Sequence, residues 1–159
     1  MSVKVELSLH EVLMAAEVGL MRQIAAIKRK LPDRNGFEGA GWNVHIEGAC
    51  GELAVAKALG LYWTGSVNSF KCGGDVGAIQ VRTRSRADYE LIIRDDDRDE
   101  DVFVLVTGRC PTYEVIGKII GRKGKRDEWR RCHGGRQAAW FVPHAALSAI
   151  DEREVTGGL

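Results

Sequence analysis

The chain has 159 residues, of which 45% are hydrophobic and 28% are charged, and its formal net charge is +1. This composition is typical of one globular domain with its own core, and it excludes a chain that is disordered throughout. No apolar stretch approaches the roughly 20 residues that span a bilayer, and residues 1–21 lack the pattern of a signal peptide. We therefore expect a cytoplasmic protein without a membrane partner.

The first predicted element is a helix over residues 8–30. Its apolar residues recur at spacings of three and four, which is the period of an amphipathic helix. Ser8 can serve as the N-cap, and Glu11 three residues later completes a capping box. The sequence thus predicts both the helix and the way in which it begins.

A second helix is predicted from about residue 44 to residue 59, with Asn43 as its N-cap and Gly60 at its end. It is apolar nearly all round, so we expect burial on several sides. Glu52 stands in this apolar helix, and an unpaired carboxylate is costly to bury. Glu52 is therefore expected either to form a salt bridge with an Arg or Lys on the sheet or to take part in a metal site.

Strands are predicted from about residue 62 onward. Residues 78–83 alternate, so Ile79 and Val81 point to one face while Gln80 and Arg82 point together to the other. Further strands are predicted in YELIIR, DVFVLVTG, TYEVIGKIIG and AAWFVP, and a closing helical turn in HAALSAI.

This order, two helices followed by a meander of strands and a short helix, predicts an α/β (α+β) fold. We expect a central mixed sheet of about four to five strands with flanking helices. The single predicted domain spans residues 1–159, with an N-terminal helix at 8–30, a core at 44–150 and a tail at 151–159.

Charge is distributed unevenly along the chain. Residues 95–101 are mostly acidic, whereas residues 118–136 are rich in Lys, Arg and Gly. Basic side chains neutralise phosphates and an aromatic ring can stack on a base, so this segment predicts nucleic-acid binding. The residues concerned are Arg122, Lys123, Lys125, Arg126, Trp129, Arg130 and Arg131. The alternative is a solvated loop in which Trp129 packs back onto the core.

Asp75 precedes the strand that carries Gln80 and Arg82, and Gly77 between them could make a bend. A bend there would allow Asp75 to join the side chains of that strand. Taken alone, Asp75 next to Gly73 and Gly74 would be a turn residue.

The helical acid Glu52, the acid Asp75 and the triplet Gln80-Val81-Arg82 follow one another in this order. With this order and spacing the chain resembles the PD-(D/E)xK nuclease superfamily over roughly residues 44–108, in particular the small nucleases and junction resolvases of phages and archaea. The resemblance implies a restriction-endonuclease-like fold, catalytic roles for Glu52, Asp75, Gln80 and Arg82, and a host-cytoplasmic location if a phage encodes the chain.

The resemblance also implies metal-dependent cleavage of phosphodiester bonds in DNA. Glu52, Asp75 and the Gln80 carbonyl would hold Mg²⁺ or Mn²⁺, since these are hard oxygen ligands. Arg82 would stabilise the transition state. Arg84 and Arg86, just after the triplet, would extend a basic surface towards this site. Such nucleases often act as dimers, so a homodimer is compatible with this interpretation.

Two positions depart from the family pattern. Gln80 stands where the family mostly has Glu or Asp, and Arg82 stands where it mostly has Lys, which Arg does not replace as a proton donor or acceptor. These departures leave two alternatives open: a non-catalytic nucleic-acid-binding protein on a degenerate nuclease fold, and a protein that binds a host factor.

Overall fold

The computed structural model describes residues 2–29, 41–67 and 73–150, so the predicted tail at 151–159 lies outside the described residues. Within them, two long helices accompany a four-stranded and a three-stranded sheet. The elements are β1 (Val3–Glu6), α1 (Leu9–Lys28), α2 (Gly41–Leu59), β2 (Ile79–Arg84), β3 (Leu91–Ile93), β4 (Val102–Arg109), β5 (Thr112–Ile120), α3 (Gly121–Gly124), β6 (Arg130–Arg131) and β7 (Ala139–Val142), with 3₁₀ turns at Asp127–Trp129 and His144–Ala146. No helix in this part of the chain is long and apolar enough to cross a membrane.

The predicted start of α1 is confirmed. Glu11 N donates to Ser8 Oγ at 3.3 Å, and Ser8 N donates to the Glu11 carboxylate at 2.6 Å, which together form a capping box. These bonds satisfy two backbone donors that the first turn of a helix would otherwise leave without partners.

Helix α2 begins earlier than predicted. It includes Gly41, so Asn43 lies inside the helix and its prediction as N-cap is wrong. Gly41 lies in the helix although glycine disfavours the interior of a helix. The end at Gly60 is confirmed, because Gly60 has a φ of +63° that glycine adopts without strain. Residues 49–56 are all buried, as the apolar pattern predicts.

The larger sheet is mixed and has four strands in the order β1-β5-β4-β2. Strands β2 and β4 are parallel, whereas β5 is antiparallel to both β4 and β1. The predicted mixed sheet with flanking helices is therefore confirmed, while β1 was not predicted. Strand β2, which carries Gln80 and Arg82, lies at one edge of this sheet.

The two faces of this sheet are covered differently. Helix α2 covers one face, with α1 packed on α2, and Ile79 and Val81 join a core there with Val55 and Val104. The small sheet β3-β7-β6 covers the other face, where Phe103 lies in a second core. Because side chains alternate along β2, neighbouring residues of this strand point either to the helix-covered face or to the face covered by the small sheet.

The predicted meander of strands is wrong. Strand β3 follows β2 in sequence but pairs with β7 in the small sheet, and β4 then returns parallel to β2. Parallel neighbours require a crossover connection, and the segment around β3 provides it on the face opposite the helices.

Helix α2 approaches β2 closely at Gly51. A Cβ atom on Gly51 would collide with the side chain of Thr83 on β2. This close approach places Glu52, the next residue of α2, near the edge of the sheet at which Asp75 lies.

Candidate active site and nucleic-acid interface

Glu52 is held by Arg22 from the neighbouring helix. The Arg22 guanidinium donates from Nη1 to Glu52 Oε1 at 2.6 Å and from Nη2 to Glu52 Oε2 at 2.9 Å. The side chains of Arg22 and Glu52 are only 19% and 9% exposed. A two-bond contact of this kind fixes the orientation of both planar groups. The predicted salt bridge of Glu52 is thus present, but its cation comes from α1 and not from the sheet.

Further hydrogen bonds complete this network. Trp63 Nε1 donates to Glu52 Oε2 at 3.0 Å, and Arg22 Nε donates to the Ser66 carbonyl at 3.0 Å. The segment after α2 therefore closes over the ion pair. His45 lies near enough to Arg22 to sense its charge. Burial lowers the pKa of His45 and the positive charge of Arg22 lowers it further, which favours the neutral imidazole.

Asp75 lies at the free edge of β2. The chain turns at Gly77, where φ is +57°, and runs back beside the start of the strand, with Asp75 N donating to Ile79 O at 2.7 Å. Asp75 Oδ2 accepts a hydrogen bond from Val81 N at 2.7 Å. The predicted bend at Gly77 is confirmed, and the carboxylate occupies a position that the carbonyl of a neighbouring strand would otherwise take.

Asp75 and Glu52 are close enough to influence each other. Burial raises the pKa of Asp75, and the negative charge of Glu52 raises it further. The hydrogen bond from Val81 and the charges of Arg82 and Arg22 offset part of this shift. For Arg22, burial lowers the pKa, but bonding to Glu52 and the charges of both acids outweigh it, so the pKa is raised. The two acids and Arg22 therefore form one electrostatic unit, called here the acid pair site.

The side chains of Gln80 and Arg82 point away from the acid pair, although the positive charge of Arg82 still lowers the pKa of Asp75. They point to the face of β2 opposite α2, where Arg82 Nη2 donates to Asp97 Oδ1 at 2.6 Å and the guanidinium lies 5.0 Å from the centre of the Phe103 ring. Gln80 Nε2 lies 3.5 Å from Asp101 Oδ2. The structure thus brings Glu52 and Asp75 together. It places the side chains of Gln80 and Arg82 on the face of the large sheet that the small sheet covers.

Glu52 and Asp75 are the oxygen donors that a divalent cation would need at the acid pair site, where the Arg22 guanidinium already binds both oxygens of Glu52. Glu52 Oε1 accepts a hydrogen bond from Arg22 Nη1, and a carboxylate oxygen has two acceptor positions. Mg²⁺ is commonly bound by one or two carboxylates together with water and substrate phosphates. Glu52 and Asp75 would supply those carboxylates. Within residues 2–29, 41–67 and 73–150, no three His, Cys, Asp or Glu side chains form a group that could hold a metal ion.

Arg84 and Arg86 both lie against the aromatic ring of Tyr89. Their guanidinium carbons are 4.7 and 5.1 Å from the centre of the Tyr89 ring. Arg84 Nε is buried and has no hydrogen-bond partner in the described part of the chain. Burial lowers the pKa of Arg84, and the positive charges of Arg94 and Arg136 lower it further. Arg84, Arg86, Arg94 and Arg136 are called here the arginine cluster. Within it, Arg86 is paired with Asp88 through two hydrogen bonds of 2.9 Å.

The predicted basic segment largely pairs with acids of the same chain. Lys125 Nζ donates to Asp99 Oδ1 at 2.7 Å and to the Asp97 carbonyl at 2.6 Å. Arg130 lies 3.1 Å from Asp95, and Arg131 pairs with Glu90. The acidic loop and the basic segment therefore neutralise each other in part, which reduces the charge available to a partner.

Trp129 is half-buried and packs against the second core, as the alternative interpretation predicts. Together with Lys123 and Arg126 it borders an open groove of about 780 Å³. The floor of this groove is mainly apolar and is formed by side chains such as Leu59, Ile79, Val102, Val104, Ile120 and Ile150. Arg122 is exposed in α3 beside this region.

Sequence reasoning missed several residues of these clusters. Arg22 is the most important, and a signal for it exists, because it follows the buried residues Ala15 and Gly19 at helical spacing on the same face of α1. Trp63 and Arg94 carry no comparable signal, since only the fold brings them beside Glu52 and Arg84.

No protein-family model matches the chain, and neither a curated protein nor a solved structure is significantly similar to it.

Proposed function

We propose that this protein is a metal-dependent nuclease with a restriction-endonuclease-like fold that acts on DNA at the acid pair site. The observation that supports this most directly is the juxtaposition of Glu52 and Asp75 at the edge of β2, where the charge of one raises the pKa of the other. Two carboxylates held close together at a sheet edge repel each other, and a bound divalent cation would reduce this repulsion.

In this proposal each side chain has a limited role. Glu52 and Asp75 would hold Mg²⁺ or Mn²⁺, and the bound cation would polarise the phosphodiester group. Arg22 keeps the Glu52 carboxylate in one orientation, and Val81 N does the same for Asp75 through its hydrogen bond. Arg84 and Arg86 would contact the phosphates of the nucleic acid beyond the site.

A second candidate function is nucleic-acid binding without cleavage. It is favoured by the orientation of the triplet, because Arg82 is bonded to Asp97 on the face of β2 that does not carry the acid pair. The arginine cluster, with the unpartnered Arg84 Nε, would then be the principal phosphate contact.

The test is cleavage of labelled single-stranded, duplex and branched DNA with Mg²⁺ or Mn²⁺, compared with EDTA. We expect metal-dependent cutting that falls on the order of 100-fold in Asp75→Asn and in Glu52→Gln. The matched control is Glu100→Gln, which removes one negative charge from an exposed acid in the acidic loop. It should cut like the unaltered protein.

The outcomes separate the candidates. Cutting that persists undiminished in both carboxylate variants would reject the acid pair site. Binding that weakens steeply with salt and with Arg84→Ala, without any cutting, would support the second candidate. Neither cutting nor binding would reject both and leave a protein that binds another protein.

A further inference from the structure

Helix α1 exposes an unusual amount of apolar surface. Seven of its large apolar side chains are between 38% and 72% exposed: Leu9, Leu13, Met14, Leu20, Met21, Ile24 and Ile27. Isolated exposed apolar side chains are common on proteins, but a contiguous patch of this kind marks an interaction surface.

The orientation of α1 explains this exposure. The helix packs on α2 through its small residues, so that Ala15 and Gly19 are buried. A Cβ atom on Gly19 would lie 2.6 Å from Ile46 Cα, which means that the two helix backbones nearly touch there. The small residues therefore face the core, and the large apolar residues are left on the outside.

The exposed residues follow the pattern of a helix pair. Leu9, Leu13, Leu20, Ile24 and Ile27 fall within an arc of about 60° at 100° per residue. With the smaller Ala16 between Leu13 and Leu20, the spacing is three and four residues, as at the core positions of a coiled coil. We call these six residues the α1 stripe.

We propose that the α1 stripe is the interface of a homodimer in which two α1 helices pack antiparallel. In this register Leu9 of one copy faces Ile27 of the other, and the small Ala16 faces Leu20. A parallel pair would set Ala16 against itself and leave a gap at the centre. Antiparallel alignment also sets the positive end of each helix dipole beside the negative end of the other.

The available area suits a second copy. The stripe runs over about 27 Å of helix, at 1.5 Å per residue. The five large side chains of the stripe present roughly 500 Å² of accessible surface per copy, or roughly 1,000 Å² in a pair, which is the lower limit for a specific interface. Met14 and Met21 lie further round the helix, beyond Glu17. Arg22 points to the other side of α1, so the interface leaves the acid pair site free.

The test is the mass in solution by sedimentation between roughly 1 and 100 µM, the range in which an interface of this size would associate. We expect a dimer for the unaltered chain and a dissociation constant raised about tenfold or more in the variant Leu13→Glu/Leu20→Glu. Tyr62→Glu, a matched change at a side chain that is 85% exposed elsewhere, should leave the mass unchanged. Circular dichroism shows whether each variant is folded.

A monomer at every concentration would overturn the proposal and point to another occupant of the stripe, and so would a dimer that the double variant does not weaken. The orientation has its own test, in a background with Cys72 and Cys132 replaced by serine. Chains with Leu9→Cys should form disulfides with chains carrying Ile27→Cys. Self-linkage of the Leu9→Cys chains in preference to this would overturn the antiparallel register. Both measurements are independent of cleavage, so they can fail or succeed without the proposed nuclease function.

Discussion

Two regions of this molecule use ion pairs in opposite settings. At the acid pair site, Arg22 and Glu52 are largely removed from water, with side chains 19% and 9% exposed. On the far side of the sheet, Arg130 and Asp95 are 45% and 39% exposed, and the neighbouring pair of Arg126 with Glu128 is more exposed still. The chemistry of the two regions is the same, but their surroundings differ.

The difference shows that a long run of charged residues in the sequence is a poor guide to how much those residues contribute to the free energy of unfolding. The six acids of residues 95–101 and the basic segment dominate the charge pattern of the chain. Yet most pairs of these segments are exposed and contribute little, because water and salt screen them. The exception is Asp97, whose pair with Arg82 is largely buried. The single acid Glu52 has greater influence, since a buried carboxylate that loses its partner is strongly destabilising.

The largest effect is expected from removing the buried cation. Arg22→Ala leaves Glu52 buried without its bidentate partner, so we expect the free energy of unfolding to fall by about 3 kcal/mol. Denaturant unfolding with Lys57→Ala as the control would measure it, because Lys57 pairs with Glu11 at a more exposed position and should contribute less than about 1 kcal/mol. Equal losses in the two variants would contradict the distinction between the two settings.

The substitution Asp75→Asn is expected to increase the free energy of unfolding, an effect smaller than that of Arg22→Ala and opposite in sign. The pKa of Asp75 is raised in the folded state, so folding favours the protonated carboxyl. The contribution of Asp75 to stability is therefore fully present below the ordinary Asp pKa of about 3.9. That stability is lost as pH rises through the raised pKa. Asp75→Asn should therefore increase the melting temperature by about 2–4 °C at pH 7, or about 1 kcal/mol for a domain of this size.

The gain from Asp75→Asn should disappear as the pH falls below the ordinary Asp pKa of about 3.9, because the carboxyl with its raised pKa is then protonated in the folded protein. Thermal unfolding in EDTA across this pH range would measure both effects. A variant that is less stable than the unaltered protein at pH 7 would show that the hydrogen bond from Val81 N outweighs the repulsion by Glu52.

The smallest effect is expected in the acidic loop. Asp95→Asn removes the ion pair with Arg130 but leaves Arg130 stacked 4.7 Å from the centre of the Trp140 ring. The free energy of unfolding should change by less than about 1 kcal/mol, and the change should shrink further at high salt. A loss comparable with that of Arg22→Ala would show that the surface pairs act as one network.

Several features could be predicted from local pattern. Ser8 and Glu11 predict the start of α1, Gly60 predicts the end of α2, and the alternation along β2 predicts that Gln80 and Arg82 share one face. Each of these depends on residues that are close in sequence, where backbone geometry alone decides the outcome.

The candidate site could be predicted only in part. The charge of Glu52 raises the pKa of Asp75, so the two acids are near each other, while their shared role in a catalytic site stays a prediction. The separation of Gln80 and Arg82 from them could not be predicted, because alternation does not reveal which face of β2 the helix α2 will cover. The close approach of Gly51 to Thr83 decides that, and it depends on contacts between residues far apart in the chain.

The sequence by itself determined the helices, most of the strands and the presence of an acid in a buried helix, because hydrophobic period and capping residues act locally. Only the tertiary structure decided the partner of that acid, the pairing of the acidic loop with the basic segment, and the face of α1 that remains outside. On α1, apolar periodicity marks a helix but not its buried side. The small residues Ala15 and Gly19 are buried because they allow α2 to approach closely, and the large apolar residues of α1 therefore face the solvent.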